Sequence, residues 1–204
     1  MKAMPAHPTG WIFDLDGTLT IAQHDFDAIR AELDIPQGEP ILEYLARLPA
    51  SASAPLHRRL DAIERELAAS VRPQPGCAEM LAALAASGCL LGVLTRNTRE
   101  NALYSLQRLG VSELFDPACV LGRHEAPAKP DPGGILNLLQ RWQLAPNAAV
   151  MVGDFRFDLE AGRAAGVATI HFDPTGRVPW PELTDRSVRT LTELASVLRS
   201  AGAS

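Results

Sequence analysis

The chain has 204 residues, 47% of them hydrophobic and 21% charged, which is ordinary globular composition and enough length to bury a substantial core. A formal net charge of -5 does not advertise a phosphate backbone or an anionic membrane as a target, so neither nucleic acid nor membrane is expected as a partner. Residues 1–10 carry no continuous apolar run and no stretch approaches the length of a bilayer span, so neither a signal peptide nor an anchor is expected. The three cysteines, Cys77, Cys89 and Cys119, lack ligand-like spacing and read as reduced core residues, which points to the cytoplasm.

In chain order, the first predicted strand is Trp11-Ile12-Phe13, and it runs into Asp14-Leu15-Asp16-Gly17-Thr18. Residues two apart on a strand share a face, so Asp14 and Asp16 would be aimed at one spot. Two like charges there raise each other's pKa unless a cation compensates them, and a divalent ion is the obvious candidate. The competing reading is a plain Asp-Gly hairpin turn.

Three helical periodicities follow, at Phe26, Ile29 and Leu33, at Ile41, Leu45 and Leu48, and at Leu56, Leu60, Ile63 and Leu67. Pro36-Gln37-Gly38 separates the first two, and the Ser/Ala/Pro stretch from Pro49 to Pro55 predicts a loose loop before the third. Beyond Pro73 and Pro75 the pattern changes to alternating helix and strand. Helices are expected over 77–87, 98–109, 133–142, 158–165 and 191–198, and apolar strands over 90–95, 118–121, 148–153 and 168–172. Glycines 88, 110 and 166 stop three of the helices, Thr190 with Glu193 begins the last as a capping box, and Asn97 with Glu100 predicts another cap.

Strands that are apolar throughout and separated by helices imply a parallel sheet covered on both faces, with the carboxyl ends of all strands on one rim. Asp14 and Asp16, Thr95, Lys129, and Asp154 with Asp158 all follow strand ends and fall on that rim, where ligands of such sheets bind. Lys129 is, with Lys2, one of only two lysines in a chain that otherwise uses arginine, so a compact point charge has been kept there. Rim arginines 96, 123 and 156 read as solvated surface charges, and His24 as part of the link into the inserted helices.

The ordered set Asp14-x-Asp16-Gly17-Thr18, Thr95, Lys129-Pro130 and Gly153-Asp154-x-x-x-Asp158 resembles the four motifs of the haloacid dehalogenase-like superfamily, in its phosphoglycolate phosphatase and β-phosphoglucomutase branch. The resemblance implies a Rossmann-like, doubly wound parallel α/β sheet, with a small all-helical cap inserted after the first strand. Residues 1–20 and 74–204 would form the catalytic core and 21–73 the cap. It further implies that Asp14 is the nucleophile, Asp16 the general acid and base, Thr95 and Lys129 the phosphate-binding groups, and Asp14, Asp154 and the backbone carbonyl of Asp16 the Mg²⁺ ligands. Asp158 would be an outer-shell or orienting partner. The implied activity is hydrolysis of a small-molecule phosphate ester, a sugar phosphate or a phosphoglycolate-like acid, through an aspartyl-phosphate. A phosphomutase of the same superfamily and, more remotely, a non-catalytic phosphorylatable switch are the alternatives. Members that cleave halides lack the second aspartate, and phosphonate-cleaving members need a cap lysine that residues 21–75 do not contain. Candidates for leaving-group contacts in the cap are Arg30, Tyr44, Arg47 and Arg58; no sequence feature specifies an oligomeric state.

Overall fold

The structure is a computed structural model that describes residues 5 and 7–194. Its element order is β1 (Gly10–Phe13), α1 (Phe26–Glu32), α2 (Ile41–Arg47), α3 (Ala50–Ala69), α4 (Cys77–Ala86), β2 (Leu90–Leu94), α5 (Arg99–Arg108), β3 (Val120–Leu121), α6 (Gly133–Trp142), β4 (Ala149–Gly153), α7 (Arg156–Ala165), β5 (Ala168–Phe172) and β6 (Arg186–Val188). The strands form one six-stranded sheet in the order β3-β2-β1-β4-β5-β6. All its pairings are parallel. The chain therefore winds outward from β1 in one direction, returns to β4 beside it, and winds outward in the other. This is the doubly wound arrangement, and a crevice opens where the order reverses, beyond the carboxyl ends of β1 and β4.

Alternation along β1 builds the two cores. Trp11 and Phe13 join Leu91, Val93, Val150 and Val152 on one face, covered by Met80, Leu84 and Leu106 of α4 and α5. Ile12 points the other way, to Leu94, Met151 and Leu138, under α6 and α7. Both faces of β1 are fully buried, which is why its sequence shows no polar alternation. The inserted helices have an apolar cluster of their own, Ile29, Leu33, Ile35, Ile41, Leu45 and Leu60.

Several expectations are corrected. The stretch Pro49–Pro55 is not a loop: α3 begins at Ala50 and runs through Pro55 to Ala69. Pro49 sits extended at the cap, its carbonyl accepts from Ala52 and Ser53, and burial of Leu60, Glu64 and Ala68 anchors the helix against the single ladder bond that Pro55 removes. The cap of α5 is Thr98, whose hydroxyl accepts from Asn101 N at 3.2 Å; Asn97 instead accepts from Thr98 N and from the Asn101 side chain. Strand β6 is unforeseen, being three residues long and burying only Val188. The last predicted helix, 191–198, is described only at residues 191–194, of which 192–194 are helical, and residues 195–198 lie outside the described residues.

After β5 the chain turns on Asp173, whose carboxylate accepts from Thr175 N (2.9 Å), Thr175 Oγ1 (2.6 Å), Arg177 N (2.8 Å) and Val178 N (3.0 Å). Burial alone would raise its pKa, but these donors outweigh that and hold the carboxyl well below the usual carboxylate range. The unfolded chain then binds more protons than the folded one just below pH 4, so the stabilisation is complete above that pH and is lost as pH falls. Asp173→Asn is expected to cost about 1 kcal/mol at pH 7. In denaturant titrations the gap to wild type should narrow steadily below about pH 4; a gap independent of pH would contradict the assignment.

Candidate active site

The rim site begins in the turn after β1. Asp14 N donates to Val152 O at 2.9 Å, which fixes the Asp14 side chain at the mouth between β1 and β4. The chain then wraps around the carbonyl of Leu15, which accepts from Leu19 N and Thr20 N, both at 3.0 Å. Gly17 sits at φ +94°, and a β-carbon there would run into the Asp154 carboxylate, so no side chain fits. The same close approach explains Gly153, whose β-carbon would collide with Asp158. Asp14 and Asp16 thus lie in a turn beyond the strand rather than on it.

Around this turn the other rim residues assemble. Asp14, Asp154 and Asp158 each offer a carboxylate oxygen within 4.8 Å of the others. Lys129 is buried between them, paired to Asp14 and at 2.6 Å to Asp158 Oδ1. Asp158 also accepts from Phe155 N at 3.0 Å, which ties its orientation to the first turn of α7. Thr95, buried at the end of β2, accepts from Asn97 N at 3.1 Å, leaving its hydroxyl proton free to donate into the pocket. Asp16 is half-buried at the opening, its Oδ1 4.0 Å from His24 Nδ1, and His24 stacks on Phe26.

Burial, together with the charges of Asp158, Asp154 and Asp16, lifts the Asp14 carboxyl well above its ordinary value despite the opposing pull of Lys129. Burial and the Asp158 charge push Asp154 up to about 7. For Lys129, burial disfavours the ammonium, but Asp14 and Asp158 more than reverse this and raise its pKa. One ammonium thus does not balance the buried carboxylates, and the cluster has the charge and the hard oxygen donors of a cation site.

Three contacts were not anticipated. Thr18 Oγ1 donates to Asp154 Oδ1 at 2.9 Å, Gln74 Nε2 donates to Gly17 O at 3.3 Å, and His171 Nε2 lies 3.2 Å from Asp154 O. His171 could have been found, because it lies near the carboxyl end of β5 and therefore on the same rim.

The site opens into a cleft of about 550 Å³ between the rim and the inserted helices. Arg30 lines it; Tyr44, Arg47 and Arg58 are not among its lining residues. Two rim arginines expected to be solvated are instead bound to the insert. The Arg123 side chain is buried and pairs with Asp61 and, at 2.8 Å, with Glu64 of α3. Arg96 pairs with both oxygens of Glu43 on α2, at 2.9 and 2.8 Å. It outweighs the partial burial of Glu43 and holds that carboxyl below its ordinary value. Sequence periodicity carries no information about such contacts, which join elements about 60 residues apart. Arg156 is exposed and pairs within its own helix with Glu160, as a surface charge.

A doubly wound sheet that gathers carboxylates, a lysine and a threonine at its reversal point is an α/β enzyme with an acidic rim site. The profile of the haloacid dehalogenase-like hydrolases matches residues 27–172. An N-acetylmuramic acid 6-phosphate phosphatase of Pseudomonas aeruginosa is 31% identical over 178 residues, covering 78% of each chain. A phosphoglycolate phosphatase of Agrobacterium fabrum is 32% identical, covering 83% of this chain and 82% of its own. The crystal structure of a predicted phosphoglycolate phosphatase from Haemophilus somnus superposes with a TM-score of 0.74 at 22% identity, over 96% of this chain and 99% of the other. The chain belongs to the haloacid dehalogenase-like hydrolases, and its fold is theirs.

Proposed function

We propose that the protein is a Mg²⁺-dependent phosphatase acting on a small phosphorylated metabolite. The observation that carries this reading is the pairing of Asp14 with Lys129 inside a carboxylate cluster at the sheet's reversal point. Asp14 attacks phosphorus in line: a bond forms between its carboxylate oxygen and phosphorus as the ester P–O bond breaks. Asp16, at the opening beside His24, gives its proton to the departing oxygen. It then takes one from the water that attacks the aspartyl-phosphate, which releases inorganic phosphate and restores Asp14. The Thr95 hydroxyl and the Lys129 ammonium bind the phosphoryl oxygens and counter the charge on the transferring group. The inserted helices act as a cap that excludes water from the cleft. Three unpaired cysteines fit a reducing cytoplasm.

The donor set fits a divalent cation. Asp14 and Asp154, with the carbonyl of Asp16, would hold Mg²⁺, and Asp158 and Thr18 would orient Lys129 and Asp154. When bound, the ion neutralises carboxylate charge that would otherwise repel a phosphate dianion.

The test is phosphate release from p-nitrophenyl phosphate with Mg²⁺ and with EDTA. Turnover in Mg²⁺ alone supports the reading; absence of turnover in both overturns it. Independently of activity, Mg²⁺ at 100 times its dissociation constant is expected to stabilise the fold by about 2.7 kcal/mol, reversed by EDTA. Thermal unfolding that ignores the ion would contradict the metal assignment.

A further inference from the structure

The part of the cleft lined by the inserted helices restricts what the phosphate is attached to. Its walls are largely apolar, made by Phe26, Ile29, Ile41, Leu42 and Leu60 of the insert and its approach, with Phe157 of α7. Two arginines reach it, and both are committed. Arg30 donates to Asp27 Oδ1 at 2.6 Å and to the Glu39 carbonyl at 3.4 Å. Arg96 is held by both oxygens of Glu43, donates to the Lys129 carbonyl, and lies 4.9 Å from the centre of the Phe157 ring. Lys129 is taken by Asp14 and Asp158, and His24, which also lines the cleft, lies 4.0 Å from Asp16 Oδ1. Two further carboxylates, Glu39 and Glu64, line the same space.

An incoming carboxylate would therefore lose its water without gaining an unpaired cation, or would have to displace Glu43 from Arg96. A neutral leaving group meets neither cost, and its carbon skeleton gains the apolar walls. We infer that the enzyme selects phosphate esters with a neutral, partly apolar leaving group, and that Glu43, by occupying Arg96, is the residue that rejects leaving groups bearing a carboxylate. This rests on the phosphatase reading above and narrows it. Negative selection of this kind works by leaving a charge unpaired in the wrong complex rather than by adding contacts in the right one.

The test measures kcat/KM for two pairs matched in size, 2-hydroxyethyl phosphate against phosphoglycolate and glucose 6-phosphate against 6-phosphogluconate, with p-nitrophenyl phosphate as the reference. Wild type is expected to prefer the neutral member of each pair by about tenfold or more. In Glu43→Gln, Arg96 loses its anionic partner and its charge becomes available, and the preference is expected to shrink severalfold through faster turnover of the acids, while the reference substrate changes by less than about twofold. Equal or faster turnover of the acids by wild type, with the reference substrate active, would overturn the inference, as would a preference that Glu43→Gln leaves unchanged. Loss of the reference activity itself in wild type would bring down the phosphatase reading, and the inference with it.

Discussion

Asp14→Asn is expected to lower kcat on p-nitrophenyl phosphate by about three orders of magnitude or more and to leave the fold intact. Asparagine keeps the shape of the side chain and removes the charge that attacks phosphorus. The structural consequence is small for a specific reason. Asp14 is buried among like charges that lift its pKa, so neutralising it relieves repulsion from Asp154 and Asp158. Lys129 keeps a partner meanwhile, because Asp158 Oδ1 stays 2.6 Å from its ammonium. Thermal unfolding in metal-free buffer should therefore stay close to that of wild type, and circular dichroism alongside the kinetics separates lost chemistry from lost structure. Substantial residual turnover in a folded variant would take the nucleophile away from Asp14.

The sheet and the rim were legible because their causes are local. Trp11-Ile12-Phe13 and residues 149–153 are apolar on both faces, and that alone identifies central parallel strands before any contact is known. Once the strands are parallel, each residue after a strand end falls on one rim, so Asp14, Thr95, Lys129 and Asp154 converge without further information. What stayed hidden depends on contacts made only after folding. Pro55 looks like a helix breaker until Leu60 and Glu64 are seen to be buried behind it. Arg96 and Arg123 look like surface charges until α2 and α3 bring Glu43, Asp61 and Glu64 to them. β6 is an edge strand too short to carry a pattern. The same limit applies inside the site. The motif spacing predicts that Thr18 is near Asp16, but not that its hydroxyl turns to Asp154.

Lys129→Met tests whether the site is a balanced set of charges or merely a collection of ligands. Lys129 is buried and holds Asp14 and Asp158 together, so a side chain of similar length without the ammonium leaves two buried carboxylates uncompensated. Removing one partner of a buried ion pair costs about 3–5 kcal/mol, and a loss of that order is expected in chelator-containing buffer by denaturant titration. Turnover should fall by about two to three orders of magnitude, because the phosphoryl oxygens lose their positive partner. The double variant Lys129→Met with Asp158→Asn separates the two effects. It removes the surplus negative charge and should recover much of the stability, but none of the activity, since neither new side chain carries a positive charge to the phosphate. Recovery of both would mean that Lys129 serves only to keep Asp158 in place. Wild-type stability in the single variant would mean that the carboxylates around it are already protonated in the folded protein, and that the ammonium answers to the substrate alone.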